Sequence, residues 1–147
     1  MRAFGSELAQ RLRAGDLVVL TGDLGAGKTT LVQGIAAGLQ APGPVLSPTF
    51  VIARVYRGGR LPLVHVDAYR LGSVDEVDDL DLDASMEESV TVVEWGEGLV
   101  ESLATDRLEV QINRSPASDD ETRTVVLRAV GARWADGLAD ARWRMGT

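Results

Sequence analysis

One segment, Gly22-Asp-Leu-Gly-Ala-Gly-Lys-Thr29, constrains this chain more than any other. It matches the G-x-x-x-x-G-K-[ST] phosphate loop (Walker A), whose successive backbone N–H groups surround a phosphate. Its Lys28 is the only lysine among 15 Lys and Arg residues. A compact ammonium reaches between phosphate oxygens, where the planar fork of arginine fits poorly. The segment therefore predicts a nucleotide phosphate site.

The residues around this loop have the pattern that the motif requires. The apolar run Leu17–Leu20 is typical of a strand buried on both faces. After the loop, apolar residues recur at helical spacing to about Leu39. Gly34 and Gly38 are poor helix formers, so we predict that they pack closely against the sheet. The sequence thus indicates an α/β protein, a single P-loop NTPase domain over residues 1–147 with a mainly parallel sheet flanked by helices.

Composition limits the remaining function classes. The 147 residues carry a net charge of −7, which argues against strong direct binding of nucleic acid, although a partner could bring RNA. The chain has no cysteine, no apolar stretch long enough for a membrane span and no apolar core of a signal peptide. We therefore expect a cytoplasmic protein that does not bind membranes.

The spacing of apolar residues and the positions of helix- and strand-breaking residues predict the other helices and strands. We expect a short helix over about 6–13, a hairpin of strands 51–56 and 61–66, an acidic helix over 73–80 and a strand over 90–93. A helical segment over 99–103, a late hairpin of 108–112 with 122–130, and a terminal helix carrying Trp134, Leu138 and Ala141 complete the chain.

Oxygen ligands follow the predicted strands where ligands bind an open parallel sheet, beyond the carboxyl ends. Thr29 closes the loop, and its hydroxyl is the expected Mg²⁺ ligand. Asp67 ends the run Leu63–Asp67 in the Walker B pattern, and Glu94 ends the next strand in the same way. Mg²⁺ needs few protein oxygens, so one carboxylate could bind the metal while the other orients or deprotonates water.

Each of these residues also has a structural interpretation. Asp67 could cap a helix or a turn, and Glu94 could form a salt bridge. Thr49 lies where a switch segment would meet the γ-phosphate, or it is simply a threonine beside Pro48. The acidic run 75–79 is better explained as a solvated helix face than as a metal site.

Two ring side chains lie beside these carboxylates. His65, the only histidine, is better explained as a satisfied, half-buried residue than as a catalytic one. Trp95 follows Glu94 and could stack on a base, but composition alone favours core packing.

Four blocks together resemble the TsaE (YjeE) family of ATPases for threonylcarbamoyl-adenosine formation in tRNA. They are G-D-L-G-A-G-K-T at 22–29, S-P-T-F at 47–50, H-V-D-A-Y-R-L at 65–71 and E-W at 94–95. The resemblance covers about residues 3–130. It implies a Mg-ATPase that is slow alone and works with the proteins TsaB and TsaD.

The resemblance also implies roles for individual residues. Lys28, Asp67 and Glu94 would be catalytic, and Thr29, Asp67 and Glu94 would hold Mg²⁺. The nucleotide-binding residues would be Asp23, Leu24, Gly25, Ala26, Gly27, Lys28, Thr29, Thr30, Thr49, Trp95 and Arg123.

Two features depart from the family pattern. Family members usually have a strand before the first helix, and we expect this sheet to lack that edge strand. Gly96 follows Trp95 where proline is common, which would loosen the turn that places Glu94.

Two other functions compete with this hypothesis. One is a small-molecule or nucleoside kinase on the same fold, which needs an acceptor pocket and usually a lid with arginines. The other is a nucleotide-gated scaffold that binds ATP or ADP with little turnover.

Overall fold

A computed structural model of the chain describes residues 2–22, 27–41, 53–67, 87–94, 106–114, 123–134 and 141–145. These ranges hold two α-helices, one 3₁₀ helix and seven strands. In chain order they are α1 Arg2–Ala9, β1 Leu17–Gly22, α2 Lys28–Gly38, β2 Ala53–Tyr56, β3 Leu63–Asp67, β4 Val90–Glu94, β5 Arg107–Arg114, β6 Arg123–Val130, the 3₁₀ helix Ala132–Trp134 and β7 Ala141–Met145.

All seven strands belong to one mixed sheet with the order β2-β3-β4-β1-β5-β6-β7. The four central strands are parallel, because β1 pairs in parallel with β4 and β5, and β3 pairs in parallel with β4. The flanking strands β2, β6 and β7 are antiparallel to their neighbours. The predicted α/β class, the β2–β3 hairpin and the late β5–β6 hairpin are confirmed.

The central strands are apolar because they are buried. Every residue of β4 is buried, as are the first four residues of β1. One face of the sheet packs under α1 and α2, where Val18, Leu20, Val92 and Val110 join the core. Parallel strands that are buried on both faces have continuous apolar runs in their sequences. The two runs that predicted β1 and β4 therefore reflect this burial.

Helices α1 and α2 pack against each other through glycines. A Cβ on Gly34 would collide with the backbone of Arg2, and one on Gly38 would lie 2.7 Å from the backbone oxygen of Ser6. Gly5 approaches the backbone of α2 in the same way. The prediction that Gly34 and Gly38 pack against the sheet is therefore wrong, because α1 takes that space. Helix α1 also begins at Arg2, earlier than the predicted start near Ser6.

The C-terminal part of the chain differs from the predicted terminal helix. Residues 141–145 form β7, which pairs antiparallel with β6 from Leu127↔Ala141 to Arg123↔Met145. Without β7, strand β6 would be an edge with open N–H and C=O groups, and pairing satisfies one side of it. Within the described residues, the helical part near Trp134 is limited to the three-residue 3₁₀ helix.

A buried ion pair fixes this 3₁₀ helix to the start of β1. Arg133 donates two hydrogen bonds to the carboxylate of Asp16, from Nε to Oδ1 and from Nη2 to Oδ2, both at 2.9 Å. The backbone N–H of Arg13 donates to the same carboxylate at 2.8 Å. This pair lies at the amino end of β1, opposite to the phosphate loop.

The helices predicted over 73–80 and 99–103 lie outside the described residues. Among the described residues, no helix is long and apolar enough to cross a membrane.

Candidate functional site

The carboxyl ends of three neighbouring parallel strands place the predicted site residues at one level of the sheet. Glu94 of β4 lies opposite Asp67 of β3 and opposite Leu20 of β1. Gly22, the first residue of the phosphate loop, ends β1 two residues further along. Paired residues on neighbouring strands share a face, so the backbone directs positions 67 and 94 toward the face that α2 covers. The sheet thus brings positions 67 and 94 together on neighbouring strands, with β4 next to the strand that leads into the loop. The side chain of Asp67 is outside the described residues.

The amino end of α2 is open toward this edge. Gly27 caps the helix with φ 108° and ψ 19°, a left-handed conformation that favours glycine, and no described side chain forms a capping hydrogen bond there. The first intrahelical bond runs from Leu31 N to Gly27 O at 2.9 Å. The N–H groups of Lys28, Thr29 and Thr30 therefore have no carbonyl partner within the helix. Such an end, with the helix dipole behind it, binds anions.

Lys28 is buried at the first position of α2, and its Nζ donates a hydrogen bond to the carbonyl oxygen of Gly22. The ammonium is thus held across the loop, between the end of β1 and the start of α2. Lys28 makes a further interaction besides this one. Its place inside the loop is the one that the motif predicts for a phosphate-binding lysine.

Glu94 is buried, with 4% of its surface exposed. Among the described residues, its Oε1 has no hydrogen-bond partner. Its other oxygen, Oε2, lies 3.6 Å from Nε2 of His65. Removing a carboxylate from water is costly unless donors or a metal compensate it. Oε1 of Glu94 is therefore without a donor in the described part of the chain, where the one recorded partner for the predicted structural salt bridge is His65.

The donor set fits Mg²⁺. Hydroxyl and carboxylate oxygens are the ligands that this ion prefers, and it keeps several waters of its own. Thr29 is half-buried at the second position of α2, and Glu94 supplies the orphaned oxygen. Among the described residues, no group of three or more His, Cys, Asp or Glu side chains could hold a metal. Thr29 and Glu94 are thus oxygen ligands of the kind that Mg²⁺ accepts.

The burial and hydrogen bonding of His65 differ from those predicted from the sequence. It is fully buried, and neither ring nitrogen has a hydrogen-bond partner among the described residues. The prediction of a satisfied, half-buried histidine is therefore wrong. The missed signal is the spacing: His65 lies two residues before Asp67, so both positions share the face on which Glu94 lies.

Arg123 is the first residue of β6 and lies opposite Arg114, the last residue of β5. Because β5 runs parallel to β1, the backbone of Arg123 lies at the same edge of the sheet as the phosphate loop. Its predicted contact with nucleotide stays a prediction, since its side chain is outside the described residues. The other predicted site residues outside them are Asp23, Leu24, Gly25, Ala26, Thr49 and Trp95.

A cavity of about 200 Å³ lies on the opposite face of the sheet, against β1, β5 and β6. Thr21, Glu109, Gln111 and Arg128 line it. Position 21 alternates with Leu20 and Gly22, so the sheet separates this cavity from Glu94 and α2. It is not part of the candidate site.

The family model for threonylcarbamoyl adenosine biosynthesis protein TsaE matches residues 1–125. The chain belongs to the TsaE family.

Several TsaE proteins are similar to the chain over most of its length. It is 58% identical over 139 residues to tRNA threonylcarbamoyladenosine biosynthesis protein TsaE of Streptomyces coelicolor, covering 92% of this chain and 94% of that protein. It is 43% identical over 134 residues to TsaE of Bacillus subtilis, covering 90% of this chain and 82% of that protein. The crystal structure of Bacillus subtilis YdiB superposes with a TM-score of 0.72 at 35% identity, over 90% of this chain and 80% of that one. The match to the TsaE family model includes the loop, Asp67 and Glu94, whereas β7 lies beyond it.

Proposed function

We propose that this chain is a P-loop ATPase that binds and hydrolyses Mg-ATP to support threonylcarbamoyl-adenosine modification of tRNA, acting with the proteins TsaB and TsaD. One observation carries the proposal. Glu94, a buried carboxylate with one oxygen that has no partner among the described residues, ends β4, and β4 lies beside β1, the strand that leads to the phosphate loop and to Lys28 at the start of α2. Family membership supports the placement in tRNA modification.

The amino end of α2 would bind the phosphates. The N–H groups of Lys28, Thr29 and Thr30 point out of the helix start and have no partner within it. The ammonium of Lys28 already lies across the loop on the carbonyl of Gly22, so it needs little movement to contact phosphate oxygens. These groups would contact the phosphates and not the base. They would therefore position the triphosphate along the helix axis without selecting the nucleotide base.

Thr29 and Glu94 would hold the metal, with Asp67 as a further carboxylate at the same level of the sheet. Mg²⁺, when bound, neutralises charge on the β- and γ-phosphates. A carboxylate that does not bind the metal would orient the attacking water or accept its proton. Burial of Glu94 favours such a role, because a carboxylate away from bulk water interacts more strongly with a ligand.

Partner proteins would bring the chain to RNA. A net charge of −7 disfavours direct contact with a phosphate backbone. We therefore assign recognition of tRNA to the complex with TsaB and TsaD and assign ATP hydrolysis to this chain.

The experiment is a pulldown of purified TsaB and TsaD with the intact chain, with and without Mg-ATP, paired with a turnover assay. We expect slow hydrolysis by the chain alone, a marked change in rate on adding both partners, and loss of the ATP effect in Lys28→Ala. Failure to bind either partner under any nucleotide condition would overturn the assignment to the complex. Phosphoryl transfer to a nucleoside or small metabolite would instead support a kinase.

A further inference from the structure

His65 and Glu94 form a pair of buried polar groups that lack other partners in the described part of the chain. The imidazole is fully buried, and neither of its nitrogens is hydrogen-bonded to a described residue. The nearest polar group recorded for it is Oε2 of Glu94, 3.6 Å from Nε2. This separation exceeds hydrogen-bonding distance by about half an ångström, so the two groups face each other without forming a bond.

A purely structural role explains this arrangement poorly. A buried imidazole without partners costs free energy, and an apolar side chain of similar size would avoid that cost. The same holds for the carboxylate of Glu94. An approach of about half an ångström would form the missing bond, with Nε2–H donating to Oε2. The arrangement is therefore poised for a bond that forms when Glu94 is drawn into one position.

We propose that His65 is a positioning residue for Glu94: its Nε2–H holds Oε2 of the carboxylate, so that Oε1 is presented to the metal of bound nucleotide. The proposal rests on the proposed Mg-ATP site and adds a second layer of ligation to it. Hydrogen bonds from an outer layer orient carboxylate ligands, and their loss typically lowers metal affinity or activity by about 10- to 100-fold.

The sheet register gives this role a structural basis. His65 and Asp67 are two residues apart on β3, so they share a face, and Glu94 lies opposite Asp67 on β4. His65 therefore approaches Glu94 diagonally from the core side, and the carboxyl edge of the sheet stays open for the ligand. The imidazole acts from beneath the site and does not touch the nucleotide.

Three substitutions at this position separate positioning from packing. His65→Leu removes the donor and keeps an apolar volume. His65→Gln places an amide N–H near the position of Nε2, whereas His65→Asn carries the same amide on a side chain too short to reach Glu94. The Gln and Asn variants are matched in chemistry and differ in reach, so they test the proposal even if His65→Leu does not fold.

The measurement is calorimetric titration of Mn²⁺ into protein saturated with a non-hydrolysable ATP analogue, together with analogue binding in EDTA and the melting temperature of the free protein. We expect His65→Leu and His65→Asn to lower Mn²⁺ affinity about 10- to 100-fold. We expect His65→Gln to restore most of it, with metal-free analogue binding unchanged. The His65→Leu substitution should have no further effect in a Glu94→Gln background.

Two negative results have different meanings. Wild-type protein that shows no Mn²⁺ binding dependent on the analogue would overturn the proposed Mg-ATP site and this inference with it. Wild-type binding that is matched by folded His65→Leu, or equal affinities of the Gln and Asn variants, would overturn only the positioning role.

Discussion

Two buried carboxylates at opposite ends of the sheet have contrasting surroundings. Asp16 and Glu94 are each 4% exposed. Asp16 accepts two hydrogen bonds from Arg133 and one from the backbone of Arg13, all within 2.9 Å. Among the described residues, the one polar neighbour recorded for Glu94 is His65, 3.6 Å away, and Oε1 of Glu94 has no hydrogen-bond partner. Asp16 is thus bonded by the protein itself, whereas Oε1 of Glu94 has no donor within the described part of the chain.

The difference separates a structural ion pair from a candidate active-site group. Breaking a buried, fully bonded pair is strongly destabilising because it leaves one charge unpaired. Neutralising a buried carboxylate that the protein does not satisfy costs little stability and can increase it. Stability and activity should therefore respond in opposite ways at the two positions.

The largest effect is expected for Glu94→Gln, on turnover. Loss of the carboxylate should lower ATP turnover by about 100-fold or more, the contribution typical of an acid–base or metal-binding carboxylate. The melting temperature should stay the same or rise, because a buried charge is removed. Steady-state turnover and thermal unfolding, measured on the same preparation, test the expected loss of activity and the expected melting temperature.

The matched control for Glu94→Gln is Glu109→Gln on β5. Glu109 pairs with Arg107 at 3.1 Å and lines the cavity on the other face of the sheet. It should leave turnover near the wild-type value. Equal loss of turnover in both variants would show that the position of Glu94 is not special.

The next largest effect is expected for Asp16→Ala, on stability. It should lower the free energy of unfolding by about 3 kcal/mol, because Arg133 keeps a largely buried charge without its partner. Turnover per folded molecule should not change. Urea unfolding measures the loss.

The double variant Asp16→Ala with Arg133→Met tests this interpretation of the ion pair. Removing both charges together should recover part of the stability, since no unpaired charge remains. A double variant that loses the full sum of the single losses would contradict the pairing as the cause.

A smaller effect is expected for Gly34→Ala in the seam between α1 and α2. The new methyl would meet the backbone of Arg2, so the helices must separate at a cost of about 1–3 kcal/mol. In an open helix position the same change would stabilise by up to about 1 kcal/mol. The sign of the change in unfolding free energy therefore decides whether the seam exists.

Ala37→Gly on the exposed side of α2 is the control for helix propensity alone. It should destabilise by no more than about 1 kcal/mol. Nucleotide affinity should survive both changes, because neither touches the amino end of the helix. A Gly34→Ala protein that is more stable than wild type would rule out the tight seam.

The parts of the fold with a local signal could be predicted from the sequence. The run Leu17–Leu20 and the run Val90–Val93 indicated central strands because a strand buried on both faces must be apolar throughout. The loop glycines and Lys28 predicted a helix that begins directly after the loop, and α2 begins at Lys28. The pairing of Asp67 with Glu94 across neighbouring strands followed from their positions at the ends of parallel strands.

The parts that depend on distant contacts could not. Gly34 indicated close packing, but nothing local shows whether the sheet or α1 takes the space. Trp134, Leu138 and Ala141 have near-helical spacing, yet the alternation Ala141-Arg-Trp-Arg-Met145 also fits a strand, and the free edge of β6 favours the strand. The orphaned state of His65 is likewise a property of what surrounds it, which spacing alone does not reveal.

We propose that the loop around Lys28 is a Mg-ATP site. A paired measurement on wild-type protein and Lys28→Ala tests this site most directly. Equilibrium binding of Mg-ATP and steady-state turnover are measured on both, with circular dichroism to show that the variant is folded. Because the chain has no second lysine, no other ammonium side chain can substitute. We expect tight Mg-ATP binding and measurable turnover in wild type and nearly complete loss of both in the variant. Near-normal affinity and turnover in folded Lys28→Ala would contradict it.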